Sequence, residues 1–240
     1  MKIALLLSGK HEMCKKTRKI INENIIRGNN CDTYIHTWNG ESEMSPISIY
    51  DPIKAVFEKP KTDYPFQMNE VDSCVPPINT FSQFYSFNES LKLTEDKFYN
   101  FYVKSRFDVW FLNKIDFSAL NPNKIYFLPY GRKGIPRYSQ KWVEKYGNNT
   151  VLPKDFLFIF SHQQKDNFLD LYGSIEHYNT KENIILCAED LLFHHIAKKN
   201  IDIEILPNQD VNGLVRPPNH HQGEGYIVYN SEGFHKYKIL

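Results

Sequence analysis

Short apolar runs alternate with polar, helix-spaced segments along most of the 240-residue chain. Residues 3–7 (IALLL) are continuously apolar and closed by Ser8-Gly9, the pattern of a central parallel strand followed by a tight turn. Residues 15–26 set Ile20, Ile21, Ile25 and Ile26 among Lys, Arg, Asn and Glu, which predicts an amphipathic helix ended by Gly28-Asn29-Asn30. Residues 32–38 (DTYIHTW) predict a second strand with Tyr34, His36 and Trp38 on one face. Strand, helix and strand in so short a space make a βαβ unit and start the sheet parallel.

Beyond Trp38 lies a polar stretch with Pro46, then the turn signal Tyr50-Asp51-Pro52 and a short third strand at residues 54–57, cut off by Pro60. Residues 59–79 hold Pro60, Pro65, Pro76 and Pro77 without a period and read as a surface loop. Thr80 is expected to cap a helix running to Leu93, with Phe81, Phe84, Tyr85 and Leu91 as its apolar stripe. Strands are predicted at residues 124–129 and 155–161, and helices at 165–172 and 188–199, the latter turning Leu191, Leu192, His195 and Ile196 inward. Residues 201–206 (IDIEIL) alternate cleanly, as a half-buried strand near a sheet edge does. Residues 130–153 are polar and rich in Gly, Tyr, Lys and Arg, and the last thirty or so are polar and aromatic, with Pro217-Pro218 and His220-His221. With neither repeat nor linker, one α/β domain over residues 1–240 is expected, with a mixed, mainly parallel sheet flanked by helices.

The stretch 98–117 (FYNFYVKSRFDVWFLNKIDF) organises this reading. It reads as a strand covered on both faces, interrupted by Lys104-Ser105-Arg106 and one acid, Asp108. Open α/β sheets bind ligands at the carboxyl ends of their strands, so a carboxylate there is a candidate for chemistry. The competing reading is a structural ion pair between Arg106 and Asp108.

Hydrophobic residues at 41% and aromatics at 15% exclude disorder over the whole length. A formal charge of +1 supplies no global field for nucleic acid, and none is expected as a partner. Cys14, Cys31, Cys74 and Cys187 have neither C-x-x-C nor zinc-finger spacing, which predicts scattered thiols in a reducing compartment. The N-terminal run stops at Ser8-Gly9-Lys10, too short for an export signal, and no window could span a bilayer. A cytoplasmic protein without a transmembrane segment is therefore expected.

Several phrases, in order, carry a resemblance: Leu7-Ser8-Gly9, residues 32–39 (DTYIHTWN), Tyr50-Asp51-Pro52 with a strand ending in Glu58, residues 83–86 (QFYS), 105–108 (SRFD) and 188–192 (AEDLL). Together they resemble small GT-A-type glycosyltransferases of large DNA viruses and bacterial surface-polysaccharide gene sets. The resemblance spans most of residues 1–200 and implies a GT-A-like, Rossmann-like domain. It also implies a nucleotide-sugar donor, a glycan or glycoprotein acceptor, often Mn²⁺ or Mg²⁺ and, for a viral member, the host cytoplasm. The chain departs from that pattern twice. Lys10-His11-Glu12 stands where Gln-Pro-Arg is frequent, and Arg106 stands where a D-x-D motif would have its first acid, leaving Asp108 as the metal ligand to expect.

The chemistry of a nucleoside-diphosphate donor then nominates residues. A metal or basic side chains must stabilise the leaving diphosphate. Asp108 is the candidate metal ligand, and Arg106 or Lys104 a phosphate partner. Ser8, Gly9 and Lys10 lie at the first strand's end, where glycine lets a ligand approach the backbone; the alternative is a plain turn with a solvated lysine. Trp38 bounds a base pocket or packs in the core. Gln83 and Ser86 share a helical face and can point together at a donor; the alternative is a surface Gln. Glu189 or Asp190 is the candidate base that accepts the acceptor's proton, although acids also favour a helix start. His194 and His195 point apart, so at most one could be a ligand, and His220-His221 is a weaker metal candidate. The basic loop with Arg132, Lys133, Arg137, Lys141 and Lys145 is a phosphate or anionic-acceptor contact or a solvated loop. The rival functions are a nucleotidyltransferase acting on sugar phosphates and a non-catalytic carbohydrate-binding domain.

Overall fold

A computed structural model describes residues 1–39, 44–69, 76–95, 97–111, 113–133, 144, 151–207, 209, 212–215, 226–230 and 233–237. Its centre is a seven-stranded sheet in the order β3-β2-β1-β4-β7-β6-β8. The strands are β1 (Lys2–Gly9), β2 (Asn30–Trp38), β3 (Lys54–Glu58), β4 (Phe101–Ser105), β6 (Lys124–Lys133), β7 (Val151–Ser161) and β8 (Asp202–Ile205). β1 pairs in parallel with β2 and β4, and β2 with β3; β7 is antiparallel to both β4 and β6, and β8 is parallel to β6. One strand therefore runs against six, a mixed, mostly parallel, Rossmann-like arrangement.

Its inner strands are buried on both faces because their sequences are apolar without alternation. One face carries Leu6, Tyr34, Tyr102, Phe158 and Phe160 under α3 (Pro77–Lys92), α4 (Lys165–Glu182) and α5 (Ala188–Lys198). The other carries Leu5, Leu7, Ile35, Val103 and Ile159 under α1 (Cys14–Ile21) and its continuation as a π turn, Asn22–Ile26. A short helix α2 (Met44–Tyr50) lies beside α1, and Tyr50 Oη donates to the Cys14 carbonyl at 3.3 Å.

Several boundaries differ from the sequence reading. The stretch 98–117 is not one strand: β4 ends at Ser105, residues 106–108 turn, and β5 (Val109–Phe111) enters a second, antiparallel sheet of order β11-β10-β9-β5. The other members are β9 (Asn212–Val215), β10 (Tyr226–Asn230) and β11 (Gly233–Tyr237), in the polar, aromatic tail to which the sequence assigns no element. α3 begins at Pro77, because proline suits the first helical turn, so Thr80 lies inside the helix rather than capping it. α4 runs ten residues past Tyr172, since Ile175 and Tyr178 extend the buried stripe of Phe168 and Leu171. α2 occupies ground read as polar coil, with Pro46 in its first turn. β8 lies at the sheet edge, as its alternation predicts. Among the described residues no helix is long and apolar enough to cross a membrane. Cys14 and Cys187 are buried and Cys31 is half-buried, and no disulfide links these three; Cys74 lies outside the described residues.

Candidate active site at the carboxyl rim of the sheet

From β1 the chain winds outward through β2 and β3 in one direction, then crosses β1 to place β4 on its other side. That reversal makes the carboxyl ends of β1 and β4 a topological switch point, the place where open α/β sheets bind ligands. Leu7 and Ser105 are register partners there, so Ser8-Gly9 and residues 106–108 leave the sheet side by side on one rim.

The β1 end is held by hydrogen bonds from its neighbours. Gly9 N–H donates to Ser86 Oγ at 2.8 Å, and Thr37 Oγ1 donates to the Gly9 carbonyl at 2.6 Å. Ser86 is fully buried; it donates to the His36 carbonyl at 3.0 Å and meets His36 Nδ1 at 2.9 Å. It therefore positions the β1 turn from α3 rather than opening onto the rim. Gly9 has φ +99°, a left-handed conformation that favours glycine, and the space its Cβ would take is open. Lys10 is solvent-exposed next to it.

The β4 end carries the charges. Arg106 donates from Nε to Asp108 Oδ1 at 2.8 Å and from Nη2 to Oδ2 at 2.7 Å, a bidentate fork. Thr17 of α1 clamps the turn by donating to the Phe107 carbonyl, and Arg106 N–H donates to the Phe156 carbonyl at 3.1 Å. Lys104 is 1% exposed, beneath the rim, with its ammonium on the Asp155 carbonyl and 5.5 Å from the Phe158 ring centroid. Burial pulls its pKa down to about 8, opposed chiefly by Asp155.

Asp155 was not singled out in the sequence, where it reads as the polar start of a strand. It is 3% exposed. Its Oδ2 accepts from Gln83 Nε2, and its Oδ1 has no hydrogen-bond partner among the described residues. Only the antiparallel course of β7 brings it to this rim, since Leu157 pairs with Ser105 at the end of β4. A polar residue opening an apolar strand is the one signal that could have found it.

Glu189 completes the cluster from the first turn of α5, half-buried, with Cys187 Sγ 3.3 Å from its Oε2. The negative charge of Asp155, followed by burial, raises its pKa to about 7. Glu189 also acts on Lys104 and Arg106, whose protonated forms it favours. Asp190 is buried on the same turn and adds to the upward push on Glu189.

This rim thus brings together Gln83, Lys104, Arg106, Asp108, Asp155 and Glu189 near the turn at Gly9. Trp38 is a rim packing residue: it is 7% exposed and stacks on Tyr85 with centroids 6.0 Å apart at 14°. His195 is engaged within the helical layer by Tyr178 Oη and the Asn167 carbonyl, both at 2.7 Å, and burial lowers its pKa to about 4. His194 meets Glu182 Oε2 at 2.9 Å. Arg137, Lys141, Lys145, His220 and His221, and the side chains of Arg132 and Lys133, lie outside the described residues.

Asp108 fits a resident divalent cation poorly in this arrangement, because Arg106 binds both its oxygens. Among the described residues no three His, Cys, Asp or Glu side chains converge as a metal site. No protein-family model matches the chain, and no curated protein matches it in sequence.

Proposed function

We propose that the protein is a GT-A-type glycosyltransferase that takes a nucleoside-diphosphate sugar, a UDP-linked one first, and passes the sugar to a hydroxyl of a glycan or glycoprotein. The observation that carries this reading is the charged cluster at the sheet's switch point, where two cations and three carboxylates meet beside a left-handed glycine. The family resemblance of the sequence supplies the donor class.

Each residue then has a physical task. The backbone at Gly9 admits the donor closely. Arg106, on the rim with its side chain about a quarter exposed, pairs with the diphosphate through the Nη1 edge that its fork to Asp108 leaves over. Lys104 is sealed under the rim, so it contributes a field that favours the leaving diphosphate rather than a contact. Glu189 takes the proton of the acceptor hydroxyl as that oxygen attacks the anomeric carbon and the diphosphate departs, a direct inverting displacement. With a pKa near 7 it is ionised often enough to accept a proton and basic enough to hold it. No step here runs through a metal.

Thermal unfolding with UDP, UDP-glucose, UDP-N-acetylglucosamine and GDP-mannose, each with and without Mn²⁺, tests the reading. A nucleotide at a hundredfold excess over its Kd is expected to stabilise the protein by about 2.7 kcal/mol. If no nucleotide raises the Tm, the donor site is refuted; release of pyrophosphate from a nucleoside triphosphate with a sugar phosphate would instead support nucleotidyl transfer.

A further inference from the structure

A second concavity lies on the outer side of α1. A cavity of about 780 Å³ opens between α1 with its π turn and α2, lined by Lys15, Arg18, Lys19, Asn22, Glu23 and Arg27, with Ser48 and Ile49 opposite. α1 turns Cys14, Thr17 and Ile21 into the core, and Ile25 follows in the π turn, so its basic residues stand on the outer face. Lys15, Arg18, Lys19 and Arg27 are all exposed, and among the described residues none of them forms an ion pair. Four cations against Glu23 give the groove a local charge of +3, so the other residues of the chain, at +1 overall, sum to −2. The groove is therefore a local concentration of positive charge on a chain whose remaining residues carry a small net negative charge.

We infer that this groove holds an acidic glycan, a carboxylate-bearing polysaccharide segment. Charge complementarity selects an anion. From Lys15 to Arg27 the cations span about 18 Å at helical rise, which suits a chain with repeated charges over a single ion. Asn22 and Ser48 add neutral polar groups suited to sugar hydroxyls. Among the described residues no aromatic side chain lines the groove, so these residues offer no stacking platform of the kind found in single-stranded nucleic acid sites. None of the exposed large apolar residues among the described ones, Met1, Ile53 and Phe98, lines it either, and a concave groove matches a chain better than a flat bilayer. The choice of a glycan over other anions rests on the glycosyltransferase reading; the groove would anchor a polymeric acceptor away from the reacting end and raise its effective concentration at the rim.

Fluorescence anisotropy of a labelled polygalacturonate oligosaccharide tests this without donor or turnover. Wild-type protein is expected to bind it with strong salt dependence between 50 and 200 mM NaCl (about 0.05–0.2 M, the range over which exposed charges become screened), and the Arg18→Glu/Lys19→Glu variant at least tenfold more weakly. Both side chains are exposed, and an unchanged Tm shift with UDP checks that the rim is intact; Lys15→Gln/Arg27→Gln provides an independent second variant. Equal binding by wild type and both variants, equal binding of neutral dextran, or tighter binding to phosphatidylserine vesicles or duplex DNA would overturn the proposal. For the wild-type protein, a UDP shift without glycan binding refutes the groove alone, whereas glycan binding without a UDP shift refutes the donor reading alone.

Discussion

Arg106 and Asp108, two residues apart in the chain, face each other across the turn that hands the backbone from the large sheet to the small one, and both carboxylate oxygens accept from the one guanidinium. The fork determines what else Asp108 can bind. Arg106→Met is expected to uncover the carboxylate, so that Mn²⁺ binds the variant at least tenfold more tightly than wild type in the absence of nucleotide, as read by electron paramagnetic resonance. The same variant should lose transfer activity by about a hundredfold or more, as removal of a charge-stabilising donor does. Equal Mn²⁺ affinities would show that the fork does not govern Asp108.

The carboxylates of Asp155 and Glu189 make the pH profile a second test. Asp155 raises Glu189 to about 7, so a base at Glu189 gives an ascending limb of kcat/KM with a midpoint near pH 7. Asp155→Asn removes the first cause of the shift and should move the limb to lower pH, whereas Glu189→Gln should abolish it. A limb that stays in place in Asp155→Asn would separate the two residues. The same shift affects stability in the opposite sense. A protonated Glu189 is favoured by the fold, so its contribution is complete below its ordinary value of 4.5 and is lost as pH rises through 7.

Lys104 supplies a prediction on the alkaline side. Its folded pKa of about 8 lies below its ordinary 10.5, so between those values the unfolded chain binds more protons. The unfolding free energy should therefore gain from this group as pH rises from about 8 to 10.5, by at most about 3 kcal/mol. Cys31, whose thiol burial raises from 9.0 to about 12, works the other way above pH 9. The difference between wild type and Lys104→Met in urea titrations isolates the lysine. Parallel pH dependences in the two proteins would mean that Lys104 is not buried as a cation.

Ser86 and Gly9 carry the turn at the rim. Ser86→Ala leaves the half-buried Gly9 N–H without its acceptor and should cost about 1 kcal/mol. Gly9→Ala meets no steric obstacle, so its cost should be conformational only, about 1–2 kcal/mol for a left-handed residue. Calorimetric unfolding measures both. A Gly9→Ala variant as stable as wild type would remove the argument that this turn requires glycine.

Local pattern alone determined the strands β1, β2, β3 and β8, the parallel start of the sheet and the amphipathic helix after Gly9, because each rests on the spacing of neighbouring apolar residues. It also brought Ser8, Gly9, Arg106 and Asp108 to strand ends, since a polar break in an apolar run is visible in one dimension. Tertiary structure decided the rest. Asp155 joins the rim only because β7 runs against its neighbours, and Gln83 is recognisable as its partner only once α3 lies over that face. The small sheet was invisible because Val109 pairs with Leu214, more than a hundred positions away, in strands too short to show a period. The direction of a strand and the partner of a three-residue segment are settled by which surfaces meet, and no run of neighbouring residues encodes that.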